Sequence, residues 1–376
     1  MDKRVILAVA GSGKTYHICH TIDPLKRNLI LAFTNENIHN IRNELCDAYG
    51  AVPELTTVMT FDSFMYRNFI NPYEPSIAEH FGVPSFASKG ICTLDPPPKQ
   101  ITTASGRKIA NPKYIPKDRL GHYITRRKQY YCATLAELVV QVKKGRESLV
   151  KRVADRLNLF YDQILIDEFQ DFRERDYDLI MALTKNLNNV LLVGDYYQHS
   201  VSGTNNSGKP FKNKKNEVCY GDFVLELKNA GFTVDEVTLR KSRRCTAEVC
   251  DFITKKLGIQ IESTSDEDGI VLWCDDTAEE ILDNPDIVKL VIQKAADYRF
   301  NAMNWSYSKG DTFSKACVIL TDKFDGMDDD DFSTKGIATS TINKLYVAMT
   351  RSKGNLYLMK SSTFKKISGA YLTQQS

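Results

Sequence analysis

"AVAGSGKT", residues 8–15, follows the apolar run Val5–Val9 and opens a helical pattern. The segment fits the phosphate-loop template at Gly13, Lys14 and Thr15, with Ala8 where the first glycine of the template belongs. Its physics tolerates that change. Gly11 and Gly13 let the backbone of Ala10, Gly11, Ser12 and Gly13 wrap so that N–H groups face phosphate oxygens. The following helix N-terminus adds positive potential. Lys14 is placed to reach β- and γ-phosphates, and the Thr15 hydroxyl to hold Mg²⁺. A strand, a glycine-rich turn and a helix in that order predict an α/β chain built on parallel sheets.

Two more strand ends carry the chemistry such a loop needs. "ILIDEFQD", Ile164–Asp171, ends a buried strand on two carboxylates. Asp167 would bind Mg²⁺, directly or through water, and Glu168 would orient and deprotonate an attacking water. "VGDYYQ", Val193–Gln198, repeats the design, with Asp195 and Gln198 beyond the strand. Ligands of parallel sheets bind beyond the carboxyl ends of strands. Gln198 is therefore a candidate γ-phosphate contact.

The chain has 376 residues, 42% of them apolar and 10% aromatic, which fits a globular protein of two or three domains. Its net charge of +3 is too mild to prove a polyanion partner. The basic residues are bunched at Arg126–Lys128, Lys143–Arg146, Lys209–Lys215 and Arg240–Arg244. Nine scattered cysteines show no Cys-x-x-Cys pair, which points to reduced thiols in a cytoplasmic setting. The N-terminus is charged at once, unlike a secretory signal. No apolar run approaches the ~20 residues of a membrane span.

Candidate strands are Val5–Val9, Leu29–Phe33, Ile164–Ile166, Val190–Val193, Val234–Val237, Ile270–Trp273, Cys317–Leu320 and Leu356–Met359. Helical patterns lie between, at Ile38–Tyr49, Tyr177–Leu187 and Ala247–Lys256. Residues 72–158 break the rhythm and read as an insertion, ending in a basic-aromatic helical piece, "YITRRKQYYCATLAELVVQVKK", residues 123–144. "GTNNSGKPFKNKKNE", Gly203–Glu217, reads as a linker. The acidic run Asp325–Asp331 reads as solvated surface.

"KLYVAMTRSKGNLYLM", residues 344–359, flanks Arg351 with two apolar runs and supplies no acid of its own. A buried cation needs an anion.

Together these segments resemble superfamily 1 helicases of the UvrD/Rep kind. "AFTNENIHNIRNEL" (Ala32–Leu45) and "TFDSF" (Thr60–Phe64) look like the segments that touch single-stranded DNA. "DEFQD" and "VGDYYQ" are similar to the second and third motifs. "LRKSRRC" (Leu239–Cys245) is similar to the fourth, "YSKGDTF" (Tyr307–Phe313) to the fifth and "LYVAMTRSKGNLYL" to the sixth. The resemblance implies two RecA-like P-loop NTPase lobes with an insertion in the first. Residues 1–71 and 159–203 would form the ATP-binding lobe, 72–158 the insertion, 204–217 the linker and 218–376 the second lobe. It also implies that Arg244 and Arg351 meet the γ-phosphate held by Lys14, and that Arg243 and Gly310 touch the nucleotide. Phe33, Thr34, Asn35, Phe61, Ser63 and Phe64 would touch the nucleic acid. Tyr123, Arg126, Arg127, Lys128, Trp305, Lys209, Lys212, Lys214 and Lys215 are further candidates.

Several positions depart from the family. Only seven residues precede Ala8, so the adenine-reading glutamine has no counterpart. Arg243 replaces an aromatic that stacks on the base, Thr312 replaces a glutamate, and "KGDTF" leans toward the RecD/Dda branch. "HSVSGTNN", residues 199–206, lacks the family's DNA-stacking Tyr and Trp. The expected activity is ATP- and Mg²⁺-dependent helicase or translocase action on single-stranded DNA, with RNA the other candidate polymer. The alternative is an ATPase switch that senses DNA ends or single strands and regulates a partner nuclease or repair protein. A P-loop kinase is a third reading, disfavoured by Arg244, Arg351 and "DEFQD".

Overall fold

The computed structural model describes residues 2–144, 147–172, 174–199, 209–213 and 216–373. Most of the expected linker, with Lys214, Lys215 and residues 200–206 of "HSVSGTNN", lies outside the described residues. The fold is mixed α/β with parallel-strand sheets. The chain divides into two compact units: Met1–Arg4, Ile18–Leu192 and Asn229–Phe232 form the first, and Val5–His17, Val193–Lys228 and Thr233–Ser376 the second.

In the first unit the strand Asn28–Ala32 runs parallel between Thr56–Thr60 and Gln163–Asp167. Leu31 stands opposite both Met59 and Ile166. Leu29, Ile30, Leu31 and Ala32 are fully buried, as a central parallel strand requires. The polar Asn28 starts this strand inside the core because its amide donates to the Asp23 and Lys26 carbonyls, both at 2.9 Å. The helix Asn35–Tyr49 covers the sheet with Ile38, Ile41 and Leu45 and stops at Gly50, which takes a left-handed φ of 81°. Leu149, Val150, Val153, Ala154 and Leu157 form the buried stripe of Leu149–Phe160.

The basic-aromatic stretch 123–144 is helical only in its second half, at Leu135–Gln141, preceded by a short turn at Cys132–Thr134. The first half is a tight turn. Lys128 adopts φ 61°, and its N–H donates to the Thr125 carbonyl at 2.9 Å. Tyr130 and Tyr131 pair instead with Ile91 and Cys92, and Tyr123 and Tyr130 are fully buried. Long-range strand pairing and aromatic burial override the local helical pattern.

The second unit holds a five-stranded parallel sheet in the order Val271–Trp273, Leu356–Met359, Ala316–Ile319, Val288–Val291, Ala302–Asn304. Helices Ala247–Leu257 and Thr339–Met349 bury Val249, Ile253, Leu345 and Met349 in its core. Trp305 belongs to that core: it is fully buried, and its indole N–H donates to the Leu290 carbonyl at 2.9 Å, so it offers no stacking face.

The acidic run is a structural anchor as well as surface. Phe324 and Met327 are fully buried, and Asp325 accepts the Ser361 and Ser362 N–H groups at the start of the helix Ser361–Ile367. All nine cysteines are free thiols. Among the described residues no helix is long and apolar enough to cross a membrane.

Candidate functional site

In the second unit, Ala8 donates its N–H to the Gly194 carbonyl at 2.8 Å, and Val9 donates to Leu239 at 3.0 Å. Those two bonds set the base of the loop. Gly11 and Gly13 then take φ 72° and 83°, where L side chains are strained. The Ser12 hydroxyl ties the loop back to the Val9 carbonyl at 2.8 Å. Lys14 is 9% exposed and, with half-buried Thr15, starts the helix Lys14–Thr21.

The segment 242–244 closes directly on this loop. Arg243 donates its N–H to the Gly11 carbonyl at 2.8 Å. A Cβ on Gly11 would stand 2.7 Å from both Arg244 Cβ and Ser242 Oγ. The Arg243 guanidinium lies 4.7 Å from the Tyr16 ring centroid, a cation–π contact. Arg243 also borders a cavity of about 360 Å³ formed with residues 264–267 and Lys353, across which Lys353 pairs with Glu267 at 2.7 Å.

Tyr346 was not read as a site residue, yet it joins three segments. Its buried hydroxyl accepts the Ala10 N–H at 2.8 Å and donates to Asp195 Oδ2 at 3.3 Å. Ala10 therefore spends its N–H on Tyr346 and does not offer it to phosphate, contrary to the sequence reading. The available signal was a tyrosine five positions before Arg351, on the helix that ends just short of it, which an apolar pattern disguises as core.

Arg351 is 2% exposed. Its Nε donates to the Val347 carbonyl at 2.8 Å, and its terminal nitrogens to the Asp311 carbonyl and the Thr350 hydroxyl. Every one of these acceptors is neutral. Among the described residues no carboxylate forms an ion pair with it. Burial and the like charge of Arg244 pull Arg351 down to about 10, which leaves it cationic at neutral pH. Arg244 donates to the Thr350 carbonyl at 3.2 Å, so both arginines share one corner. Gly310 is exposed at φ 101°, one residue before Asp311. Gln198 is 3% exposed and closes a short turn on Asp195.

In the first unit Asp167 is 1% exposed and accepts the Glu168 N–H at 2.9 Å. Glu168 takes φ 53°, a left-handed conformation that costs a non-glycine residue about 1 kcal/mol. Gln170 holds the Glu168 carboxylate through its side-chain amide. That orienting role was missed, although the glutamine stands in "DEFQD". Among the described residues no group of three or more His, Cys, Asp or Glu side chains forms a metal cage. A phosphate-loop Mg²⁺ needs less from protein, because waters and phosphates fill most of its shell. Asp167 in the first unit is a hard oxygen donor of the kind such an ion takes, and so, in the second unit, is the Thr15 hydroxyl.

A cleft of about 550 Å³ opens in the first unit at the carboxyl ends of two neighbouring parallel strands. Phe33, Thr34, Asn35 and Ser63 line it, as do Ile91–Leu94 of the insertion. Thr34 and Thr60 cap the helices that start there, accepting the Asn37 and Ser63 N–H groups at 3.1 and 3.2 Å. Phe33 is half-buried, edge-on to Phe172. Phe61 and Phe64 do not reach the cleft. They are 1% and 0% exposed and pack on Phe172 and Phe69, so neither offers a face to a base. Tyr123 is buried likewise, whereas Arg126, Arg127 and Lys128 are exposed.

Among solved structures, the chain is similar to arterivirus nonstructural protein 10, a helicase, in complex with DNA: 16% identity, TM-score 0.43, 97% of this chain and 62% of that one. A DNA-free crystal structure of that helicase gives 16% identity and TM-score 0.44 over 98% and 62%. The PRRSV helicase gives 12% and 0.42 over 99% and 55%. The chain thus spans less than two thirds of each of these proteins. No curated protein matches it. A family model described as an AAA domain matches residues 2–204, more than half of the sequence, and the chain belongs to that family.

Proposed function

We propose that the chain is a superfamily 1 helicase or single-strand DNA translocase of the UvrD/Rep kind, in which nucleic acid stimulates ATP hydrolysis. The observation that carries this reading is Arg351. A buried cation whose hydrogen bonds all go to neutral acceptors is costly to the fold, and an anion that joins it offsets that cost. The Arg244 backbone stands against Gly11 of the phosphate loop, and Arg351 shares Thr350 with Arg244. A γ-phosphate is the anion that fits. Lys14 and the Gly11–Gly13 backbone bind phosphate, Glu168 acts as base with Gln170 orienting it, and Arg244 and Arg351 stabilise transferring charge. Gln198 reads the γ-phosphate, and Arg243 and Gly310 lie toward base and sugar. Thr15 and Asp167 would hold Mg²⁺, which when bound would supply charge neutralisation at the phosphates. Phe33, Thr34, Asn35 and Ser63 hold the strand.

The test is the ATPase rate with and without single-stranded DNA and RNA, on wild type and Arg351→Ala. Stimulation of about tenfold or more by a polymer is expected. Arg351→Ala should lose about 10³-fold in kcat, as for arginines that act on the transition state, and should also weaken ATP binding, because the γ-phosphate is the anion this cation meets. Hydrolysis indifferent to every polynucleotide would sink the reading. The burial of Phe61 and Phe64 favours one rival, a DNA-sensing ATPase switch that controls a partner nuclease. Polymer-stimulated hydrolysis without displacement of 5′- or 3′-tailed duplexes would select that rival.

A further inference from the structure

The insertion concentrates the charge of the chain. Between residues 81 and 136 there are ten Lys and Arg against two Asp and Glu, a net +8 in a chain whose total is +3. The remaining residues are therefore net acidic. Within that segment the structure gathers four cations from two places. Arg126, Arg127 and Lys128 form the turn that Lys128 closes at φ 61°. Lys89 donates its N–H to the Lys128 carbonyl at 2.7 Å, which sets the two main chains side by side. All four side chains are exposed, and among the described residues none forms an ion pair.

The position of this cluster gives it meaning. Ile91 pairs with Tyr130 and Cys92 with Tyr131, so both chain segments run directly from the basic turn into the cleft wall. Ile91–Leu94 and Cys132 line the cleft opposite Phe33, Thr34 and Asn35. Leu94, 65% exposed, adds an apolar surface on that wall. Unneutralised like charges beside a groove with aromatic and apolar walls match the chemistry of a single strand: phosphates outside, bases within.

We propose that Lys89, Arg126, Arg127 and Lys128 grip the sugar–phosphate backbone of the strand in this cleft, as a sequence-independent clamp supplied by the insertion. This deepens the nucleic-acid reading above and rests on it. Each phosphate neutralised on a single strand contributes about 0.7 to the slope of log affinity against log salt.

The experiment follows a labelled oligothymidylate by fluorescence anisotropy from about 50 to 300 mM salt, a range over which such slopes are steep. Wild type is compared with a variant carrying Gln at positions 89, 126, 127 and 128. A control variant carries Gln at Lys185, Lys228, Lys323 and Lys366, exposed lysines elsewhere. The clamp variant should lose about 2 to 3 units of slope and at least tenfold in affinity at low salt. The control should lose much less, and ATP hydrolysis without polymer should stay unchanged in both. A wild type that binds while the clamp variant keeps its slope overturns the clamp alone. Equal losses in clamp and control variants overturn it too, since net charge would then explain the effect. A wild type that binds no oligonucleotide at low salt overturns the nucleic-acid reading with it. Loss of binding to phosphatidylserine vesicles with oligonucleotide binding intact would assign the cluster to a membrane surface and overturn the proposal.

Discussion

Glu168 combines a left-handed backbone with a carboxylate steered by Gln170, so its direction is fixed before any substrate arrives. Glu168→Gln preserves shape and hydrogen bonding but removes the carboxylate proposed as the base. Turnover should fall about 10²–10⁴-fold with ATP binding retained, measured by single-turnover hydrolysis beside nucleotide titration. Normal turnover would assign the base elsewhere. Tyr346 supports a different prediction, because its hydroxyl is at once acceptor for Ala10 and donor to Asp195. Tyr346→Phe keeps the ring and strands a buried N–H, at a cost of about 1–3 kcal/mol. Beyond that loss of stability, kcat should drop at saturating ATP, since the hydroxyl ties the start of the phosphate loop to the helix that leads to Arg351. Unchanged kcat in the folded variant would make Tyr346 a packing residue only.

The phosphate loop and the segment 242–244 act as one element through Gly11. An added methyl there would meet Arg244 Cβ and Ser242 Oγ at 2.7 Å, in a backbone region that already strains any side chain. At Gly13 the same methyl finds neighbours only at 3.6 to 3.8 Å. Gly11→Ala should therefore destabilise by at least about 2 kcal/mol, against about 1 kcal/mol for Gly13→Ala. Paired thermal melts decide it, and equal losses would mean that the close approach of Arg244 is unimportant. The turn 125–129 and the strand pair Ile91–Cys92 with Tyr130–Tyr131 teach a related point. A helical pattern was displaced there because two buried tyrosines and a parallel ladder outweigh intrinsic propensity.

Acid stability is a property of the whole fold in which one group stands out. His199 is 5% exposed, stacks on Phe211 at 3.9 Å and donates Nδ1–H to the Tyr196 carbonyl. Its Nε2 lies 3.4 Å from the Asn343 amide, which donates to it only while the ring is neutral. Burial depresses His199 from 6.5 to about 4. A depressed cation favours the native state while neutral. Its contribution is complete above about pH 6.5 and is lost as pH falls toward 4, because the unfolded chain takes up the proton first. The loss is up to about 3 kcal/mol. Urea midpoints measured from neutral pH down to about 4.5 should fall in wild type and flatten in His199→Gln. Parallel curves would remove His199 as the cause.

The sequence by itself determined the local chemistry: a glycine-rich turn between strand and helix, two carboxylates at a strand end, and an arginine inside an apolar segment. Each is a short-range pattern whose residue types leave few other uses. Helix Asn35–Tyr49 and the strand at Leu356–Met359 were legible for the same reason, since periodicity reports burial directly. Only the tertiary structure decided what those groups face. It buried Phe61, Phe64 and Trp305, committed the Ala10 N–H to Tyr346, and joined Lys89 to a turn almost 40 residues away. An aromatic in a motif reads identically whether it stacks on a base or on Phe172. The difference lies in which distant segment covers it, and that information arises from packing between segments, which no local pattern encodes.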